Sequence, residues 1–368
     1  DGGTLYMPFG GGVYIDDCPN ARIVNCQFNS SQATYGGAIC AVFADLSVSN
    51  CIFDFNASNT IAGAALFVYS NIQLIDSVFD SNMTDMYGGA VYVASGSMSA
   101  VYCDFTLNAS MSEMGGAIYL DDASASFRQT YFADNYASLY GGAIYQNQGI
   151  LSLSNVEVFD NYADDTGGAL YLYELTEAIL KDSVFDGNAS ENYGGAAFMS
   201  NGSLSTTGLL SVSGCYFGAN STYSADGGAV YLSEIAANLY NTHFVNNESG
   251  NNAGAIYFWE CDVTMQSVSV QSNFSYGRGG AMYQDGGSAI VSDSIFSLNN
   301  TDYRPGGAIY LLSATSVLID TDFVDNYSAD TGGAIYSDVS DVTLVRASFN
   351  SNESENNGGA MYLNSGSL

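Results

Sequence analysis

The sequence predicts an all-β chain: a single-stranded, right-handed parallel β-helix of about fourteen coils, with three short strands in each. Three observations carry that expectation. A Gly-Gly-Ala-Ile-Tyr pentapeptide, or a close variant, recurs down the whole chain, its second glycine at Gly11, Gly37, Gly63, Gly89, Gly116, Gly142, Gly168, Gly195, Gly228, Gly254, Gly280, Gly307, Gly333 and Gly359. The steps are 26 or 27 residues, with a single step of 33 between Gly195 and Gly228. A second marker, Phe-x-x-Asn, precedes the glycine pairs, as in Phe53…Asn56, Phe105…Asn108 and Phe323…Asn326. Finally, no segment shows a 3.6-residue period, and two glycines per unit argue against helical repeats. Such regularity means one unit stacked on itself, each copy burying its neighbour's apolar face.

The first strand is the Gly-Ala-Ile-Tyr segment. Two residues after the second glycine the chain is always apolar, from Val13 and Ile39 to Ile335 and Met361. A second strand alternates at seven and five residues before the Phe, as in Leu46 and Val48 or Val263 and Met265. Three residues before the Phe comes a corner, most often Asn or Asp: Asn25, Asn50, Asp76, Asn155, Asp182, Asn241, Asp293 and Asp320. Those residue types tolerate the left-handed backbone of a sharp bend. The third strand carries a small residue and the Phe. A β-propeller blade would need four strands in about 40–45 residues, which this period excludes. Fourteen coils at about 4.8 Å imply a rod about 65 Å long, and right-handed coiling is the default for parallel crossovers.

The repeat overrides the two or three domains that 368 residues would suggest. Residues 1–368 are expected to form one continuous β-helix domain with a loop insertion near 201–213, as a segment of a longer chain. Thirty-eight acidic residues face six basic ones, for a net charge of −32. A surface this acidic repels nucleic acid and anionic membranes, and no apolar run is long enough to span a bilayer. No cofactor is expected, and calcium or magnesium only as loosely held counter-ions, since no spacing forms a calcium loop. Seven cysteines without a CxxC motif, and a single histidine, His243, argue against a zinc site. Cys26, Cys51, Cys103 and Cys215 share one repeat position, where Ser, Thr, Val or Ala stand elsewhere, so buried free thiols are expected. Cys26 and Cys51 lie on adjacent coils, where a disulfide is geometrically allowed.

Two columns are candidates for function. Three residues after the second glycine stand Tyr92, Tyr119, Tyr145, Tyr171, Tyr231, Tyr257, Tyr283, Tyr310, Tyr336 and Tyr362, preceded by Tyr14. Strand alternation places Tyr opposite the aliphatic column, which makes an external ladder for packing against another protein or stacking on sugars; the alternative is that Tyr fills the core. The second column is asparagine. Asn56, Asn82, Asn108, Asn188, Asn220, Asn247, Asn273, Asn299, Asn326 and Asn352 each begin an Asn-x-Ser/Thr sequon, and Asn29 and Asn201 add two more. Asn135 and Asn161 keep the Asn without the Ser or Thr, so the residue has a structural use as well. The frequent Ser/Thr two residues on points to N-glycosylation.

The paired markers resemble the FxxN and GGAI repeats of the chlamydial polymorphic outer-membrane proteins, over nearly the whole chain from about Gly10 to Tyr362. That resemblance implies a surface-exposed, autotransported, β-helical adhesin. A C-terminal membrane barrel of that family has no counterpart in this chain.

Catalysis is not expected. The six basic residues are scattered, His243 is alone, and the carboxylate pairs Asp16/Asp17, Asp121/Asp122 and Asp164/Asp165 fall at different repeat positions in or beside turns. The sequence therefore reads as a non-enzymatic extracellular structural protein, a stalk or filament subunit of the cell surface that packs laterally or end to end. Its partners would be its own copies or other surface proteins. A surface adhesin is the first alternative, and a polysaccharide-binding or -degrading β-helix the second.

Overall fold

A computed structural model of the chain describes residues 9–202 and 208–368. It is a parallel β-solenoid of about 13 turns built from three sheets. Two compact units divide it, Asp1–Leu175 and Thr176–Leu368.

One turn of the first unit shows how sequence becomes structure. Its strands are Val91–Ala94, Ser97–Val101, Asp104–Thr106 and Ala109–Ser110. The first two share a sheet, and the third and fourth each belong to a sheet of their own. The three sheets per turn match the expectation, but two of the foreseen strands lie in one sheet. The third sheet is a two-residue strand just after the Asn, too short to leave an alternating pattern in the sequence.

Like pairs with like. Phe79 registers with Phe53 on one side and Phe105 on the other, and Val91 with Ala65 and Ile118. In the second unit Phe217 registers with Phe185 and Phe244. Strand Leu209–Ser213 pairs with Glu177–Lys181 and Ala236–Tyr240, so the long step leaves the register intact. Of the insertion near 201–213, residues 203–207 lie outside the described residues.

Left-handed corners turn the chain. In the turn just described they fall at Gly88, Ser95, Tyr102 and Leu107, with φ between 53° and 68°. All eight Asn and Asp corners read from the sequence have φ between 47° and 55°. The small residue after that corner closes it: Ser77 Oγ donates to Ile75 O at 2.9 Å, and Cys103 Sγ to Val101 O at 3.5 Å. The two glycines of the motif have different tasks. The first holds a left-handed corner, such as Gly115 at φ 69°. The second sits where backbones touch: a Cβ on Gly116 would lie 2.0 Å from Gly142 O and 2.5 Å from Tyr136 O.

The core is a set of columns. Ile39, Val91, Ile118 and Ile144 are fully buried, as are Phe53, Phe79, Phe105 and Phe132. The latter rings stack face to face at 4.5–5.0 Å.

Candidate functional site

The asparagine column runs inside the solenoid. Asn56 Nδ2 donates to Phe28 O at 3.0 Å and to Asn82 Oδ1 at 2.9 Å, and the Asn56 backbone N–H donates to the same Oδ1. Asn82, Asn108 and Asn135 repeat this arrangement up to Asn161. In the second unit the same ladder runs from Asn188 to Asn352. Between the ends of the ladder, as at Asn82 and Asn108, the Oδ1 accepts two hydrogen bonds and the Nδ2 gives up both hydrogens, so these amides are saturated without water.

This overturns most of the glycosylation expectation. Asn56, Asn82, Asn108, Asn188, Asn220, Asn247, Asn273, Asn299 and Asn326 are buried, and Asn201 is buried too. A glycan on Nδ2 would remove a ladder hydrogen and needs an exit that the packed turns do not leave. Asn352 is half-buried, its Nδ2 donating to Phe323 O at 2.9 Å. Of the twelve sequons only Asn29 presents an exposed amide.

The Ser or Thr two residues later has its own structural reason. Ser58 Oγ donates to Ile61 O at 2.8 Å, Thr222 Oγ1 to Ala225 O at 3.0 Å, and Ser249 Oγ to Asn252 O at 2.8 Å. These carbonyls belong to the loop that leads into the glycine pair. Two separate needs, a ladder amide and a loop-pinning hydroxyl, thus spell a sequon by coincidence of spacing.

The tyrosine column faces away from the core but is not a bare strip. Tyr92, Tyr119, Tyr145 and Tyr171 stack at 4.7–5.2 Å in the first unit. In the second, Tyr231, Tyr257, Tyr283, Tyr310, Tyr336 and Tyr362 stack at 4.8–5.3 Å. Residues entering the glycine pair fold over the rings: Tyr87 lies against Tyr119 at 4.9 Å, Tyr140 against Tyr171 at 4.6 Å, and the Arg278 guanidinium over Tyr310 at 5.3 Å. Tyr145, Tyr257, Tyr283 and Tyr310 are buried. Burial pushes these phenols up, Tyr92 and Tyr145 to about 12. The column is a second, outer core, so the expectation of an open interface ladder is corrected for the buried tyrosines; the others are half-covered.

Cys26 and Cys51 are free thiols. Cys26 Sγ turns to Val24 O at 3.3 Å and Cys51 Sγ to Ser49 O at 3.2 Å, each closing its own corner. Cys51 Sγ also accepts the Cys26 backbone N–H at 3.4 Å, so backbone groups hold both sulfurs and the disulfide is not formed. Cys103 and Cys215 are buried at the same position, with burial raising each thiol to about 11.

The carboxylate pairs are not gathered. Asp17 and Asp122 are corner residues with φ of 48° and 47°, and Asp164 accepts a hydrogen bond from the Tyr136 hydroxyl. His243 is exposed, beside the buried Phe244. Among the described residues, no group of three or more His, Cys, Asp and Glu is placed to hold a metal ion.

Sequence reasoning missed three features. Asp226 is a loop carboxylate that accepts hydrogen bonds from Asn251 Nδ2, Asn252 N and Asn252 Nδ2 at 2.9–3.0 Å, and desolvation raises it above the usual carboxylate range. Tyr223, Tyr276 and Tyr303 stand exposed on loops of the second unit. A polar groove of about 390 Å³ crosses the outer face of strands Ala21–Val24, Asp45–Ser49, Asn71–Ile75 and Ser97–Val101. The sequence signal for the groove was the run of polar residues at the outward positions, which alternation alone assigns to solvent.

Residues 320–338 match the family model of the Chlamydia polymorphic membrane protein repeat. The matched stretch runs from the corner Asp320 through Phe323, Asn326 and the Gly332–Gly333 pair to Asp338, one copy of the markers that recur along the chain. The FxxN and GGAI resemblance therefore holds at the level of the repeat. No curated protein and no solved structure matches the chain.

Proposed function

We propose that the chain is a non-enzymatic structural segment of an extracellular surface protein, a stalk or filament subunit. The observation that carries this reading is the commitment of each turn to its neighbours. The Phe, Asn, Ile and Tyr columns each use their side chains on the copies above and below. A sequence spent in this way serves the stack itself. The match to a repeat of a membrane protein family supports placement at the cell surface. The acidic exterior suits a salt-bathed environment, with calcium or magnesium as diffuse counter-ions, and copies of the chain or other surface proteins as partners.

Antibody against this segment, applied to intact producing cells, tests the reading. Labelling of intact cells, abolished by external protease, is expected. Labelling only after permeabilisation overturns it. The exposed Tyr223, Tyr276 and Tyr303 favour a second reading, an adhesin passenger. In that case the triple Ser variant stays folded and at the surface but loses cell attachment.

A further inference from the structure

We propose that the polar groove of the first unit, with the aromatic pair beside it, is a binding site for an uncharged oligosaccharide. Two independent features meet there. The floor of the groove is the outer face of four neighbouring strands and presents Arg22, Ser47, Gln73 and Ser99 at successive copies of one outward position. None of these four side chains makes a hydrogen bond to another of the described residues. Beside them a second row is held in place: Asn71 Nδ2 donates to Asp45 Oδ1 at 2.8 Å, and Ser97 Oγ to Asn71 Oδ1 at 2.7 Å. Amides and hydroxyls both donate and accept, as the hydroxyls of a sugar do. The spacing between turns offers them repeatedly along one line.

The second feature is aromatic. Phe43 and Tyr69 occupy the corners two residues ahead of Asp45 and Asn71, which line the groove. Their rings stack in parallel at 5.0 Å and 5°, and each is 57% exposed. Both have φ of 50°, a conformation that disfavours bulky side chains. The same corner in the next turns carries Ser95, Asp122 and Gln148, so its geometry does not ask for an aromatic. Exposed bulky residues recur at other corners, such as Phe55 and Tyr102, but only Phe43 and Tyr69 stack into an open aromatic platform on consecutive copies of one corner. A flat aromatic pair beside a hydroxyl-rich floor fits the apolar face and polar rim of a pyranose. The net charge of −32 excludes a polyanionic glycan and selects a neutral one. The outward position itself stays polar at Ser126, Ser152, Ser211, Asn238 and Thr264 and turns apolar at Ile290 and Val317; the stacked aromatic corners are what these turns add.

The test is calorimetric titration of the purified chain with cellohexaose, laminarihexaose, maltohexaose and chitohexaose, with hexagalacturonate as the anionic probe. Binding of at least one neutral hexasaccharide is expected. The Phe43→Gly/Tyr69→Gly double variant should bind it about tenfold more weakly or worse. Since glycine relieves the corners, that variant should melt no lower than the parent, which separates lost binding from lost folding. Gln73→Ala, an exposed change, should weaken binding as well. The proposal is overturned if no neutral probe binds at millimolar concentration, if hexagalacturonate alone binds, or if the double variant binds as the parent does.

Discussion

The interior columns and the outer face of the groove strands are made by the same repeat, yet they behave oppositely. Inside, the first unit repeats Phe53, Phe79, Phe105 and Phe132, and the asparagines behind them, almost without change. Outside, one strand position reads Arg22, Ser47, Gln73, Ser99. The difference follows from who the neighbour is. An interior side chain contacts its own copies above and below, so a substitution in one turn breaks two contacts. An outward side chain contacts water and is free to vary. Repetition therefore marks what builds the stack, and departures from it mark what the stack carries.

The largest effect should come from the interior. Phe105→Ala empties a site stacked between Phe79 and Phe132 and should cost about 3–5 kcal/mol in denaturant unfolding. Gly116→Ala should cost about 3 kcal/mol or more, because its Cβ meets backbone oxygens that cannot move aside. Either variant unfolding at the parent's midpoint would break the comparison. Asn108→Ala should cost about 2–3 kcal/mol, since it strips partners from Asn82, Phe79 and Asn135. Asn29→Ala, the exposed counterpart, should change little.

The tyrosine stack lies between the two extremes, and pH sharpens its place. Its phenols are raised from 10.0, to about 12 for Tyr92, Tyr145 and Tyr310, chiefly by burial. The unfolded chain loses those protons near 10 while the folded chain keeps them. The stack's contribution should be full below pH 10 and lost as pH rises through the window from 10 to 12. Melting temperatures across that range check this, and a flat profile would place the rings in solvent. The smallest effect belongs outside: Phe43→Gly/Tyr69→Gly should leave stability unchanged or raise it by about 1 kcal/mol at most.

Much of the fold was legible because its signals are periodic. The glycine pair, the aliphatic position after it, and the corners at Asn25, Asn50 and Asp76 all read directly from the spacing, and the structure places them as expected. The third sheet was not legible, since strands such as Ala109–Ser110 are two residues long. The candidate sites were harder. A sequon and a ladder amide with a loop-pinning serine share the same letters, so Asn108 and Ser110 could not be assigned from sequence. Strand alternation sets the tyrosine column opposite the aliphatic one but left open whether it faces in or out, because the covering by Tyr87 and Tyr140 depends on loop paths without a period. Cys26 and Cys51 satisfied the spacing for a disulfide, while the corner carbonyls that occupy their sulfurs are a backbone feature.

The asparagine column is an internal ladder that holds each turn to the next. Intact mass of the folded chain, secreted by a eukaryotic host and compared before and after enzymatic removal of N-glycans, tests it. At most one glycan is expected, absent from the Asn29→Gln variant. A cooperatively melting chain that carries glycans at Asn108 or Asn247 would contradict it.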